Sequence, residues 1–469
     1  MAKKFEKINE EAKLDGKKQV VYATFYSLGS KFLTYLLLLV FANLYTPEEY
    51  GLGSFAYNLR NIIMLFVFIG LPEALIPLLV KRKKVESVIK AIIWITISVT
   101  LICLILSLLP GALQLWILPL VITFPIVMVT NIGTAILRAR EQYSQTYTAG
   151  FYSMIVTLIS AYLLRGFGSW AVVGAYSLGN LCAFLIVAKP VKKELITLFS
   201  KSIRFRGKIG KDLKEYIFFA LGIALVGSSL TLMYWITSTA LGLYGYFADI
   251  AKFGVASALA SILTIIPISI SMIILTKASK LKKLGNDVLL ARSTRISFFI
   301  TLIGAILLTT FMPWILKLFF PKYLGIEIYT AILIFGSVCF ASSYVIYSYH
   351  IGIMNLRNVL SPILIGLVVH LIISLIFATK FGLGGILITQ STIQLAILVY
   401  LAKSQNIKRI TLAAIASLLL FWAAYSSIML GLLAIIATIP LAIITKIIDR
   451  QDISIIKKTF CEILIRTKY

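Results

Sequence analysis

About fourteen apolar runs, each long enough to cross a membrane, leave this chain very few ways to fold. They lie near 20–45, 51–79, 88–109, 112–136, 146–164, 169–188, 216–239, 247–275, 293–316, 327–349, 359–379, 383–402, 410–427 and 429–447. Some 20 helical residues cross the roughly 30 Å of hydrocarbon in a bilayer. Composition agrees: 60% of the residues are hydrophobic, 13% are charged and the mean hydropathy is +0.96, too apolar for a water-soluble chain. The expected fold class is therefore an all-α polytopic membrane protein with about 14 transmembrane helices.

The charge distribution tests that count. Cytoplasmic loops of membrane proteins retain Lys and Arg. With the N-terminus inside, the inner segments 1–19, 81–90, 138–140, 189–214, 277–295, 357, 403–409 and 446–469 hold 38 of the 45 basic residues. Only Lys31, Arg60, Arg165, Lys252, Lys317, Lys322 and Lys380 fall elsewhere. A miscount by one helix would scramble this alternation, so both termini are expected on the cytoplasmic side of a cell membrane. The same tally accounts for the net charge of +27 without a nucleic-acid partner. Loops are short throughout, the longest being KPVKKELITLFSKSIRFRGKIGKDLKEY at 189–216, so no soluble domain is expected.

Four cysteines, Cys103, Cys182, Cys339 and Cys461, stand singly, with no CxxC pair or His/Cys cluster to suggest a metal site, and no cofactor is expected. The first nineteen residues are mostly polar and precede a run too long for a secretion signal, and they read as an amphipathic lead-in.

The chain also repeats itself. EYGLGSFA (49–56) is answered by KFGVASAL (252–259), and both helices run on to basic ends, KRKK (81–84) and KASKLKK (277–283). IGTAILRAREQYS (132–144) is answered by IGIMNLRNVLS (351–361), and the turn RGFGSW (165–170) by KFGLGG (380–385). Landmarks in one order at a near-constant offset imply two copies of a six-helix unit. Six is even, so the copies are parallel repeats, expected to flank a central cavity, with two extra C-terminal helices. The organisation read from this is a lead-in at 1–19, an N-lobe at 20–188, a basic linker at 189–215, a C-lobe at 216–402, helices 13 and 14 at 403–447 and a cytoplasmic tail at 448–469.

At this point a family likeness emerges. LYTPEEYGLGSFAYNLRNIIMLFVFIGLPEALIPLLVKRKK (44–84) resembles the opening of the polysaccharide transporters, the O-antigen and oligosaccharide flippases of the multidrug/oligosaccharidyl-lipid/polysaccharide exporter superfamily. The positions that carry it are Tyr45, Pro47, Glu48, Tyr50, Gly51, Gly70 and Leu71, with Tyr45 and Thr46 departing from the usual spacing. FFPKYLGIEIYTAILI (319–334) and FGLGGILITQSTIQLAILVYL (381–401) resemble the same family. The resemblance implies a flippase moving a polyprenyl-diphosphate-linked oligosaccharide from the cytoplasmic to the outer leaflet by alternating access, for cell-surface glycan assembly. Its partners would be that substrate, membrane lipids and a coupling H+ or Na+.

An anionic diphosphate crossing a membrane needs cationic partners on a hydrated path. Arg60 interrupts the second apolar run, with Tyr57 and Asn61 at helical spacing and Asn58 close by. Lys31 lies within the first run with Tyr35 on its face. A cation deep in hydrocarbon costs about 2.5–3.5 kcal/mol on insertion scales, which directs such residues towards a bundle interior. Lys252 occupies the matching helix of the second half, where Asp249 at i−3 can pair with it. The expected substrate-binding set is therefore Arg60, Lys31, Asn58, Asn61, Tyr57, Tyr35 and Lys252. Asp249, Glu73 and His370 are the candidates for ion coupling. Prolines 72, 77, 119, 125, 267 and 362 mark expected kinks.

Two other functions fit parts of the pattern. A multidrug or small-molecule cation-coupled antiporter of the same superfamily would share the fold but needs fewer cavity cations. A membrane glycosyltransferase or polymerase would need acidic catalytic residues on a large outer loop, and Glu48–Glu49 lie in a turn too short for that. No enzymatic activity is expected.

Overall fold

The computed structural model describes residues 26, 29, 30, 32–68, 86–107, 114–140, 142–204, 222, 225–280, 286–353, 355–404 and 407–444. Lys31 and Glu73 lie outside them, and of Arg60 only the backbone is described. The described residues contain helices and turns, and no strand. The helices, in chain order, are α1 (Phe32–Leu44), α2 (Pro47–Phe68), α3 (Glu86–Ser107), α4 (Gln114–Ala139), α5 (Tyr143–Leu163), α6 (Ser169–Arg204) and α7 (Ser229–Leu243). They continue with α8, made of Phe247–Ser261 and Ile265–Lys280, then α9 (Asn286–Phe319), α10 (Glu327–Gly352), α11 (Arg357–Lys380), α12 (Gly382–Ser404), α13 (Lys408–Ser426) and α14 (Ile428–Ile444). Each falls on one of the apolar runs in the sequence. Seven spans within them are long and apolar enough to cross a membrane unaided, including Val88–Ile105, Leu290–Phe319 and Arg357–Lys380.

The outer surface is far more apolar than that of a water-soluble protein. Large apolar side chains such as Trp94 (60% exposed), Leu163 (71%) and Leu419 (76%) point outwards, while Ser337, Ser342, Ser343 and Thr330 of α10 are buried. Hydrocarbon is the solvent such a surface requires, because lipid tails offer no penalty to exposed Leu, and hydroxyls are the groups that must be withdrawn. Three of those hydroxyls cost little once inside, since they donate to a carbonyl one turn earlier: Thr330 to Ile326 O at 2.9 Å, Ser342 to Val338 O at 3.3 Å and Ser343 to Cys339 O at 3.0 Å. The protein is a multi-pass membrane protein.

The chain divides into two compact units, residues 1–225 with 245–251, and residues 226–244 with 252–469. In the first, α3 packs on α4, α4 and α5 pack on α6, and α2 packs on α3, α4 and α6. In the second, α9 packs on α10, α10 and α11 pack on α12, and α8 packs on α9 and α10. Most of these pairings recur six helices apart, as two copies of one bundle require, the contact of α2 with α6 being the exception. The turns recur too: Gly168 just before α6 and Gly382 at the first position of α12 both have positive φ, at 57° and 58°. A side chain is strained in that region, so the two equivalent turns share one backbone requirement. Helices α13 and α14 pack on each other and on α9, adding to the second unit.

Two helices depart from a simple crossing. α6 has 36 residues, about 54 Å at 1.5 Å per residue, well beyond hydrocarbon thickness. It kinks at Val191 (φ −112°, ψ 15°), directly after Pro190. The stretch read from sequence as the start of a linker is thus a helical extension to Arg204. α8 is interrupted by a 3-10 turn, Ile262–Thr264. Pro267 explains the position: its ring crowds the carbonyl four residues back, at Leu263, and it has no N–H to bond it. Hydroxyls compete for nearby carbonyls, Ser261 donating to Ala258 O and Thr264 to Ser261 O, both at 2.7 Å.

Candidate functional site

Within the first unit, α1, α2 and α6 meet in an aromatic cluster. Phe41 lies 5.8 Å from Tyr50 and 5.6 Å from Tyr176, centroid to centroid. Tyr57 stacks on Tyr176 with centroids 3.8 Å apart and planes 15° from parallel. Tyr45 donates its hydroxyl hydrogen to Ala161 O on α5. The PEEYG segment is therefore a structural joint as well as a sequence signature: Glu49 accepts from Thr46 N at 2.9 Å, and Thr46 Oγ1 accepts from Glu49 N at 3.2 Å, a reciprocal cap that starts α2.

Of the expected substrate residues, Tyr57, Asn58 and Asn61 are half-buried on α2, and Tyr35 is half-buried on α1. One face of the Tyr57 ring is occupied by Tyr176. Asp249 and Lys252 are both half-buried near the start of α8.

His370 is the sequence candidate with the fullest set of described partners. It is completely buried at the middle of α11, within the second unit. Its Nε2 is 3.2 Å from Met233 O and 3.1 Å from Thr237 Oγ1, both on α7, and its Nδ1 is 3.2 Å from Ser374 Oγ. A carbonyl can only accept, so Nε2 carries a hydrogen shared between Met233 O and Thr237 Oγ1. Thr237 in turn donates to Gln390 Oε1 on α12 at 3.1 Å. Nδ1 of the neutral ring then accepts from the Ser374 hydroxyl. On protonation, Nδ1–H would have to donate to that same oxygen, and the described partners of the ring, Met233 O, Thr237 and Ser374, carry no charge to balance the imidazolium.

The surrounding shell is polar but uncharged. Gln394 donates to Met233 Sδ at 3.7 Å, and Ser391 donates to Ile332 O on α10 at 2.8 Å. Gly336 on α10 makes room for both, because a Cβ there would fall 2.3 Å from Gln394 Oε1 and 2.7 Å from Ser391 Oγ. The Nε2 of Gln390 is buried without a hydrogen-bond partner among the described residues. Thr237, Gln390 and Gln394 were not singled out by sequence; the only trace of them is the i, i+4 spacing of Gln390 and Gln394 and of His370 and Ser374. Among the described residues no group of three or more His, Cys, Asp or Glu could hold a metal ion.

Neither a family model nor a curated protein matches this chain. Solved structures do. It is similar to the lipid II flippase MurJ in an inward closed conformation, at 16% identity over 91% of this chain and 98% of that one, with a TM-score of 0.66. It is also similar to the eukaryotic MATE transporter AtDTX14, at 16% identity over 86% of this chain and 98% of that one (TM-score 0.54). A third match is an inward-facing multidrug resistance MATE family transporter of the MOP superfamily, at 15% identity over 81% and 96% (TM-score 0.57). Over nearly its whole length, the chain has the fold that these membrane transporters share.

Proposed function

We propose that this chain is a transporter that moves a polyprenyl-diphosphate-linked oligosaccharide across the membrane by alternating access, without enzymatic chemistry. The observation that carries the reading is the extent of its likeness to a lipid-linked flippase: 91% of the chain at a TM-score of 0.66, against 81–86% at 0.54–0.57 for the MATE structures. The fourteen helices and the cations at Lys31 and Arg60 in the sequence support it, since a diphosphate needs such partners where water is scarce. On this reading Arg60, Lys31, Asn58, Asn61, Tyr57, Tyr35 and Lys252 contact substrate. The distribution of Lys and Arg supports a cell-membrane location with both termini on the cytoplasmic side.

A second reading, a cation-coupled multidrug antiporter, is favoured by the MATE likeness. Either reading admits coupling at His370, Asp249 or Glu73. Purified protein in liposomes separates them. A fluorescent polyprenyl-diphosphate oligosaccharide placed in the outer leaflet is expected to become protected from membrane-impermeant quencher at a rate set by protein content. No protection, together with H+- or Na+-driven uptake of cationic dyes, would replace the flippase with the antiporter.

A further inference from the structure

Where α4 ends and α6 bends, the first unit carries a pocket outside the His370 cluster and the α2 residues. It has a volume of about 430 Å³, is floored by Ile136 and Leu198, and is rimmed by Arg140, Lys193, Glu194 and Thr197. Its depth in the membrane follows from α6. Ser169 to Lys189 is enough helix to cross the hydrocarbon, and the kink at Pro190–Val191 comes next, so Lys193 to Leu198 lie at headgroup level. The end of α4, at Arg138 and Arg140, meets the same level.

Three features define what the pocket suits. Glu194 Oε1 holds Arg140 Nη2 at 2.6 Å, orienting a guanidinium that has five N–H donors in a planar fork suited to phosphate. Lys193 adds a second cation against the single carboxylate, and Arg138, Lys189 and Lys192 stand close by in sequence. Thr197 already donates to Lys193 O at 2.8 Å, so its hydroxyl closes the rim and offers no further hydrogen. The apolar floor is the discriminating part. Inorganic phosphate gains nothing from Ile136 and Leu198, whereas a phospholipid sets its glycerol and first methylenes against such a surface. Basic pockets between helices at the membrane surface hold anionic headgroups by this combination.

We infer that the α4–α6 pocket seats the phosphate headgroup of an anionic membrane lipid, with Arg140 and Lys193 as its cationic partners. The test is independent of transport. Purified full-length protein is titrated in neutral detergent with phosphatidylglycerol, phosphatidylcholine or inorganic phosphate, and bound lipid is counted by native mass spectrometry alongside thermal unfolding. Phosphatidylglycerol is expected to bind in preference to phosphatidylcholine. Arg140→Ala and Lys193→Ala are each expected to weaken it by roughly fivefold, the contribution of one basic residue near an anionic surface. Lys193→Arg should keep most of the affinity, and Lys403→Ala, at the end of α12, should change nothing. Both substituted side chains are exposed, so folded protein is expected in every case. Equal binding of the two lipids, undiminished preference in Lys193→Ala, or full competition by inorganic phosphate at equal concentration would each overturn the assignment.

Discussion

His370 Nε2 stands 3.1 Å from Thr237 Oγ1, an imidazole from α11 against a hydroxyl from α7 in a completely buried site. Because Met233 O at 3.2 Å can only accept, the ring is held with its hydrogen on Nε2 and a lone pair on Nδ1. His370→Leu would strip the donor from both acceptors, and a buried group left unsatisfied costs about 1–3 kcal/mol, so a lowered unfolding temperature is expected. His370→Gln keeps an N–H donor and should fold nearly normally. If the ring carries a coupling proton, transport by the Gln variant loses its pH dependence; if the ring only ties helices together, transport keeps it. Initial rates between pH 5 and 8 decide.

The Thr237–Gln390 bond allows a sharper energetic test. Thr237→Val removes the only described donor to Gln390 Oε1, leaving an amide whose Nε2 is already orphaned. The expected cost is about 1–3 kcal/mol. Gln390→Leu in the same chain removes the orphaned amide, so the double variant should be more stable than Thr237→Val alone. Thermal unfolding of the four proteins gives the coupling directly. Additive effects would show that the pair does not hold α7 to α12.

Gly336→Ala should disturb the same shell from the α10 side. The new Cβ would lie 2.3 Å from Gln394 Oε1, 2.7 Å from Ser391 Oγ and 3.3 Å from Ser391 Cα. Glutamine can swing away, but the backbone contact persists, so a loss of about 1–3 kcal/mol is expected. Gln394→Ala should restore part of it. Cysteine crosslinking or unfolding in detergent would measure both.

Much of this architecture was legible in the sequence because its strongest signals are local. An apolar run of about 20 residues is long enough to cross a membrane as one helix, and the helices of the structure fall on those runs. The turn glycines at 168 and 382 were visible as matched landmarks because their backbone requirement is itself local. The extension of α6 past Pro190 was not visible, since its charged residues resemble a solvated loop and helical continuation depends on packing. The Thr237, Gln390 and Gln394 shell was hidden for another reason. Ser and Thr are common in membrane helices, where many satisfy themselves locally, as Thr301 does with Ser297 O at 2.7 Å. Only the fold selects the few that meet across helices. Arg60 and Lys31 stood out because charge in hydrocarbon is costly wherever it ends up.

Arg60 carries the last prediction. It lies in α2 one turn beyond Tyr57, whose ring stacks on Tyr176 with centroids 3.8 Å apart, so the helix at this level is anchored by an aromatic contact that needs no cation. Arg60→Ala is therefore expected to insert and fold, since it also removes a charge worth about 2.5–3.5 kcal/mol of insertion cost. Flipping of a diphosphate-linked substrate should fall at least tenfold, the equivalent of about 1.4 kcal/mol of lost anion stabilisation. Arg60→Lys should keep part of the activity, because the charge survives while the planar fork does not. Tyr57→Phe, which preserves the stack, should leave folding intact. Size-exclusion profiles and liposome flipping rates on the same preparations separate the outcomes: folded Arg60→Ala with full flipping would remove the residue from the substrate path, and loss of folded protein would make it a structural anchor.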